Sequence, residues 1–184
     1  MSLTLPGTTI EVSTYQHDTA NRVLTNIFAM GGIVLSQICT MTGLEAHTVQ
    51  NWVKRGFLSP PIHRQYSRRQ FARVVMINML RECMQIDHVV RLLSYVNGVL
   101  SREDDDSIDD SLLYGCFVNL VGQLEGEMPT REALGEACDA VLEDFIETIP
   151  DSKRRIRHVL MVMVYAFLSY RSKQQAELLL REVL

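Results

Sequence analysis

Several things are scarce in this 184-residue chain, and each scarcity excludes a class. The four cysteines, Cys39, Cys83, Cys116 and Cys138, are widely spaced singles with no CxxC and no Cys/His cluster. They therefore read as buried apolar thiols of a reducing compartment, not as a disulfide framework or a zinc site. The first fifteen residues hold no Lys or Arg and no continuous apolar stretch, so no secretory leader is expected. The longest apolar run, Val159 to Leu168, is ten residues, too short to span a bilayer. Arg154, Arg155 and Arg157 precede that run, but a buried bundle helix accounts for it as well as a membrane surface does. Aromatics are 7% of the chain, and glycine and proline fall mostly between periodic segments, which points to a helical class. No nucleophile–base pair, phosphate-cradling glycine loop or general-acid constellation is visible. The expectation is a cytoplasmic protein that is not an enzyme and has no cofactor and no bound metal.

What is present is charge segregation. The net charge is −4, yet residues 45–91 carry eight basic and three acidic side chains. Residues 101–150 carry two and fourteen, and residues 151–184 seven and three. A basic segment followed by an acidic one confines any nucleic-acid contact to the first half.

Periodicity divides the chain further. Thr8 to Ser13 can form an extended strand. From Asp18, a potential cap, Val23, Leu24, Ile27, Phe28 and Met30 recur on one helical face until Gly31-Gly32. A helix from Leu35 to about Met41 turns Ile38 and Cys39 inward, and Gly43 supplies the tight turn after it. The next helix, about Ala46 to Arg55, has a core stripe of Val49, Trp52 and Val53. Gly56 stops it, and Pro60-Pro61 forces extended backbone. Ser67 caps a helix with Phe71, Val74, Val75, Asn78 and Met79 on one side and Arg69, Arg73 and Arg81 on others. Asp87 caps a shorter helix that ends at Asn97-Gly98. Three further helical patterns follow, at about 108–124, 130–149 and 152–183.

These patterns predict an all-α protein: an N-terminal arm and accessory helix (1–32), a winged head (33–98), an acidic linker (99–106) and a helical bundle (107–184). The apolar centre of the last helix has three possible settings. It is enclosed in a bundle, packed across a dimer, or used as a ligand pocket lined by Met161, Met163, Tyr165 and Phe167. His88 and His158, among apolar neighbours, read as packed histidines. Glu103–Asp106 with Asp109 and Asp110 lacks calcium-loop spacing and reads as solvated.

Reading DNA requires a helix whose buried face sets its angle while its outer face meets base edges. On the Ala46–Arg55 helix, Gln50 and Asn51 are amides suited to adenine, and His47, Lys54 and Arg55 suit phosphates. Thr48 suits either target. His63-Arg64-Gln65-Tyr66 provides a short basic wing, and Arg68 and Arg69 add charge at the positive end of the next helix.

The run Gly43-Leu44-Glu45-Ala46-His47-Thr48-Val49-Gln50-Asn51-Trp52-Val53-Lys54-Arg55-Gly56-Phe57-Leu58-Ser59-Pro60, followed by Arg64-Gln65-Tyr66-Ser67, resembles the DNA-binding head of the MerR family. Leu80-Arg81-Glu82 and Ile86 to Leu93 resemble that family's second helix pair. The resemblance covers about 35–95, lies near an uncharacterised bacterial MerR-like branch, and touches excisionase-type heads. It implies a winged helix-turn-helix with a short wing, acting as a dimeric, sequence-specific regulator of transcription on double-stranded DNA. The DNA-contacting positions it implies are His47, Thr48, Gln50, Asn51, Lys54, Arg55, Arg64, Tyr66, Arg68 and Arg69. Gln50 stands where the family often has Arg, and Asn51 where it often has an aromatic. No long coiled-coil helix follows Leu93, so the family's promoter-untwisting mechanism is not carried over. The expected partners are DNA and a second copy held through the C-terminal helices, with the small-molecule effector open. The alternative is an interaction protein whose head does not touch DNA.

Overall fold

The computed structural model describes residues 3–15, 18–98, 107–124 and 127–184. The expected acidic linker, with Glu103–Asp106, lies outside the described residues. A two-stranded antiparallel sheet opens the chain, β1 (Leu3–Thr4) against β2 (Glu11–Val12), with Leu3 opposite Val12. Eight described helices follow: α1 (Thr19–Ile27), α2 (Leu35–Thr42), α3 (Ala46–Lys54), α4 (Arg68–Leu80), α5 (Ile86–Val96), α6 (Asp110–Gln123), α7 (Arg131–Val141) and α8 (Ser152–Val183). The described chain is thus all-α apart from this sheet and two isolated bridges, Ile33–Tyr66 and Ile62–Gln65. No described helix is long and apolar enough to cross a membrane.

The local signals for α2 to α4 work as physical chemistry says they should. Gly43 ends α2 in the left-handed region, at φ 71°, and its N–H donates to the Cys39 carbonyl. Gly56, at φ 75°, ends α3 in a Schellman motif. There Phe57 N–H donates to Trp52 O at 2.8 Å and Gly56 N–H to Val53 O at 3.0 Å. Ser67 caps α4 reciprocally with Gln70: Ser67 Oγ accepts from the Gln70 N–H, and Gln70 Oε1 accepts from the Ser67 N–H.

Three signals resolve differently from expectation. Asp18 adopts a left-handed conformation (φ 69°) with no capping bond, and its N–H donates instead to Asn119 Oδ1 on α6. Asp87 lies in the first turn of α5 behind Gln85 and pairs with Arg55. The 130–149 pattern ends as a helix at Val141. Glu143, Asp144 and Glu147 would crowd the negative end of a longer helix. Glu147 is used otherwise: its two carboxylate oxygens accept from Asp151 N–H and Lys153 N–H, capping α8.

The core is continuous from Leu5 to Leu168 and does not divide between the expected head and bundle. α4 is its axis, with Phe71 to Ile77 buried on every face, and it packs against α6. The apolar centre of α8 is enclosed by α4, α5, α6 and α7, with Phe167 edge-on to Phe117 at 5.6 Å between ring centres. Tyr114 of α6 donates to Pro6 O, and Asn78 of α4 donates to Gly7 O and Thr42 O, tying the amino-terminal arm to the core.

One polar cluster crosses this core. Arg73 and Asp110 are each 1% exposed and pair at 3.3 Å. Arg73 Nε also donates to Phe57 O at 3.0 Å, and Asn97 Nδ2 donates to Asp110 Oδ1 at 2.7 Å. Burial pushes the Asp110 carboxyl above the ordinary aspartate value, and Arg73, Arg69 and Asn97 pull against that rise. Arg73 is therefore an interior cation and adds nothing to the basic surface expected from the sequence. Arg73→Met should lower unfolding free energy by about 3 kcal/mol, because Asp110 loses its closest cation and keeps only the longer Arg69 contact and the Asn97 hydrogen bond. The double change Arg73→Met/Asp110→Leu should recover most of that loss, as read from urea unfolding of the three proteins.

Candidate functional site

α3 is short, and its amphipathic pattern decides what it shows. Val49 and Trp52 are buried against the core, so His47, Gln50, Asn51, Lys54 and Arg55 are exposed, with Thr48 half-buried. The Schellman turn then sends the chain through Phe57 and Leu58, both buried, toward Pro60-Pro61. The Gln70 amide nitrogen, donating to Ser59 and Pro60 carbonyls, holds that exit against α4.

From there the chain makes a two-residue hairpin. Ile62 and Gln65 exchange both backbone hydrogen bonds, at 3.0 and 2.8 Å, and His63 and Arg64 between them have φ of 49° and 65°. Positive φ at both central positions is the type I′ arrangement, which suits Asn-Gly. Here it is occupied by two residues with full side chains, each costing about 1 kcal/mol. The turn places the imidazole and guanidinium at its tip, and Arg64 is exposed.

Tyr66 does different work. It is 3% exposed, its backbone bridges Ile33, and its ring is part of the core, where burial raises its phenol above the usual range. The ring of Tyr66 is therefore the anchor of the hairpin and is not presented to solvent. Arg68 and Arg69 are likewise drawn inward. Arg68 donates to Asn21 Oδ1 and to Thr25 Oγ1 of α1, and Arg69 lies 3.8 Å from Asp110. Arg55 is exposed but already paired with Asp87 at 3.3 Å, its guanidinium 4.3 Å over the Phe57 ring.

The structure brings Gln50 of α3 and Arg64 of the hairpin into the lining of one cleft of about 530 Å³. Val53, Pro61 and Tyr66 form its floor, and Val34, Leu35 and Ser36 at the start of α2 close the third side. The sequence reading missed that third wall. Its signal is the Val34–Gln37 turn, where Gln37 Oε1 accepts from the Val34 N–H as α2 begins. Ile62 beside the hairpin tip is 74% exposed.

Other expected features change as well. His88 and His158 are exposed: each precedes a buried valine, Val89 or Val159, but itself lies on the outward face of its helix. Cys83 is exposed too, its thiol directed at Ala166 O, whereas burial pushes Cys116 up to about 11 and Cys138 up to about 12. No group of His, Cys, Asp and Glu among the described residues is arranged to hold a metal.

A family model described as a domain of unknown function (DUF1836) matches residues 22–117, which run from α1 through the cleft to the middle of α6. The uncharacterised protein YkrK of Bacillus subtilis (strain 168) is 22% identical over 163 residues, covering 83% of this chain and 70% of its own. No solved structure matches significantly.

Replacing His63-Arg64 by Asn-Gly should relieve the turn and raise unfolding free energy by roughly 1–2 kcal/mol. Thermal unfolding of the paired variant against the parent measures this, and an unchanged or lowered midpoint contradicts the strain.

Proposed function

Starting from the fact that the chain belongs to the DUF1836 family, whose description assigns no activity, we propose that it is a DNA-binding regulator with a winged helix-turn-helix head. In this reading α2, the Gly43 turn and α3 are the helix pair, and the Ile62–Gln65 hairpin is a short wing. The observation that carries it is the Gln50–Arg64 cleft, flanked by exposed His47, Asn51 and Lys54. Amides on a rigid helix read base edges, while a cation on a braced loop meets the backbone. The phosphate-contacting set becomes narrower than the sequence suggested: His47, Lys54, Arg64 and, once freed from Asp87, Arg55. Arg68, Arg69 and Tyr66 hold the frame.

Two heads act together through α8. From Arg171 to Leu184 every residue of this helix end is exposed. Ala176, Leu179, Leu180 and Val183 follow the i, i+3, i+4, i+7 spacing of an apolar stripe, with Leu179 53% and Val183 81% exposed. A second copy packed on that stripe gives a two-fold dimer suited to a symmetric site.

A second reading is supported by the apolar floor of the cleft and by exposed Ile62, which together suit an apolar peptide from a protein partner. Titration of duplex genomic fragments at two salt concentrations separates the two. DNA affinity should fall on the order of ten-fold or more between about 50 and 200 mM salt. Arg64→Ala should weaken all sequences alike, and Gln50→Ala or Asn51→Ala should shift preference among sequences by roughly 1–3 kcal/mol. No binding at low salt removes the DNA reading. Leu179→Lys/Val183→Lys should convert the dimer to monomer in sedimentation while leaving the helical signal intact.

A further inference from the structure

The amino-terminal arm, the end of α4 and α8 line a cavity of about 420 Å³. Its size falls at the small end of the ~300–1,000 Å³ typical of ligand sites. That suits a small metabolite better than a dinucleotide. Pro6, Met79 and Phe167 give it an apolar wall, and Phe167 is held there edge-on by Phe117. Two tyrosines also line it: the Tyr15 hydroxyl donates to Thr4 O, and the Tyr170 hydroxyl accepts from Gln174 Nε2.

The charges at its edge are of opposite sign and are separated. Arg171 lies close enough to Tyr15 to oppose the rise that burial imposes on that phenol. Glu82 lies beside Tyr170, adding to the rise that burial imposes there. Arg171 makes no ion pair among the described residues, and Glu82 has a single long one, 3.7 Å to the neighbouring Arg81. Both remain available to a ligand. Gln174 and Thr8 complete the polar lining, Gln174 Nε2 donating to the Tyr170 hydroxyl and Thr8 Oγ1 to Leu5 O.

A cation and a carboxylate that do not pair with each other, beside an apolar lining, match one ligand chemistry. We propose that this cavity binds a free amino acid with an aromatic or branched apolar side chain. Its carboxylate meets Arg171, its ammonium meets Glu82, and its side chain lies against Met79 and Phe167. The assignment does not depend on the DNA reading, because no cleft residue takes part.

The site also joins elements that serve different ends of the molecule. Asn78, which lines it, donates to Thr42 O at the close of α2 and to Gly7 O in the arm. Arg171 and Gln174 belong to the first exposed turn of α8. A bound zwitterion would cross-link the arm, the head and α8.

The test is isothermal titration of the full chain with L-phenylalanine, L-tyrosine and L-leucine up to about 10 mM, a range that detects millimolar affinity. Saturable binding of at least one is expected. N-acetyl and amide derivatives of that amino acid, which lack the ammonium and the carboxylate charge respectively, should each bind about ten-fold or more weakly. Arg171→Ala should abolish discrimination against the amide, and Glu82→Gln discrimination against the acetylated form. Both residues are exposed, so the fold tolerates these changes. No heat with any of the three amino acids overturns the proposal. So does binding that is indifferent to both variants, or derivatives that bind as well as the parent.

Discussion

Arg73 carries a full positive charge into the middle of the most buried helix of the molecule, and most of the long-range architecture can be traced to how that charge is met. Desolvating a guanidinium and a carboxylate costs several kcal/mol each, so the pair persists only with further hydrogen bonds around it. Those bonds come from places far apart in sequence. The exit of α3 supplies Phe57 O, the close of α5 supplies Asn97, and the first turn of α6 supplies Asp110. The backbone beyond this point is fixed as well, since Ser107 N–H donates to Val96 O and Arg155 of α8 reaches Ser107 Oγ. Breaking the pair would therefore loosen the support of α3, and with it one wall of the cleft.

The cleft itself rests on an arrangement in which few side chains serve both frame and surface. Trp52, Val49 and Tyr66 set angles from inside, while Gln50, Asn51, Lys54 and Arg64 face out. The cations nearest to α4 were claimed by the interior. Around the cleft, exposed positive charge is thus left to Lys54 and Arg55 of α3 and to Arg64 at the hairpin tip. A contact there would be made by few charges held in a defined geometry.

Much of this was legible in the sequence, and the limits have physical causes. Turns and caps are local, so Gly43, Gly56 and the Ser67 cap could be read directly, as could the bounds of α8. Partnerships across the fold are not local. Arg73 looks like any other arginine until Asp110, in a segment that reads as an acidic linker, is brought beneath it. Arg68 and Tyr66 look like wing residues because their neighbours are. Whether they turn in or out is decided by α1 and by Ile33, which periodicity cannot place. The positive φ of His63 and Arg64 has no sequence signal, since neither residue type favours it. The single continuous core was hidden by the charged segment before α6, whose composition suggests a boundary that the packing of α4 on α6 ignores.

α8 is 32 residues long, so as a straight helix it measures about 48 Å. Its first half is gripped by four other helices, and its last fourteen residues extend about 21 Å from that grip. Such a helix is a lever with a fixed fulcrum. A tilt of only five degrees or so at the point where it leaves the core sweeps its tip through about 2 Å. Small rearrangements around Phe167 and Tyr170 are thereby converted into displacements on the scale of an atomic diameter at the far end. Whatever is held at the tip would be positioned by the packing at the fulcrum.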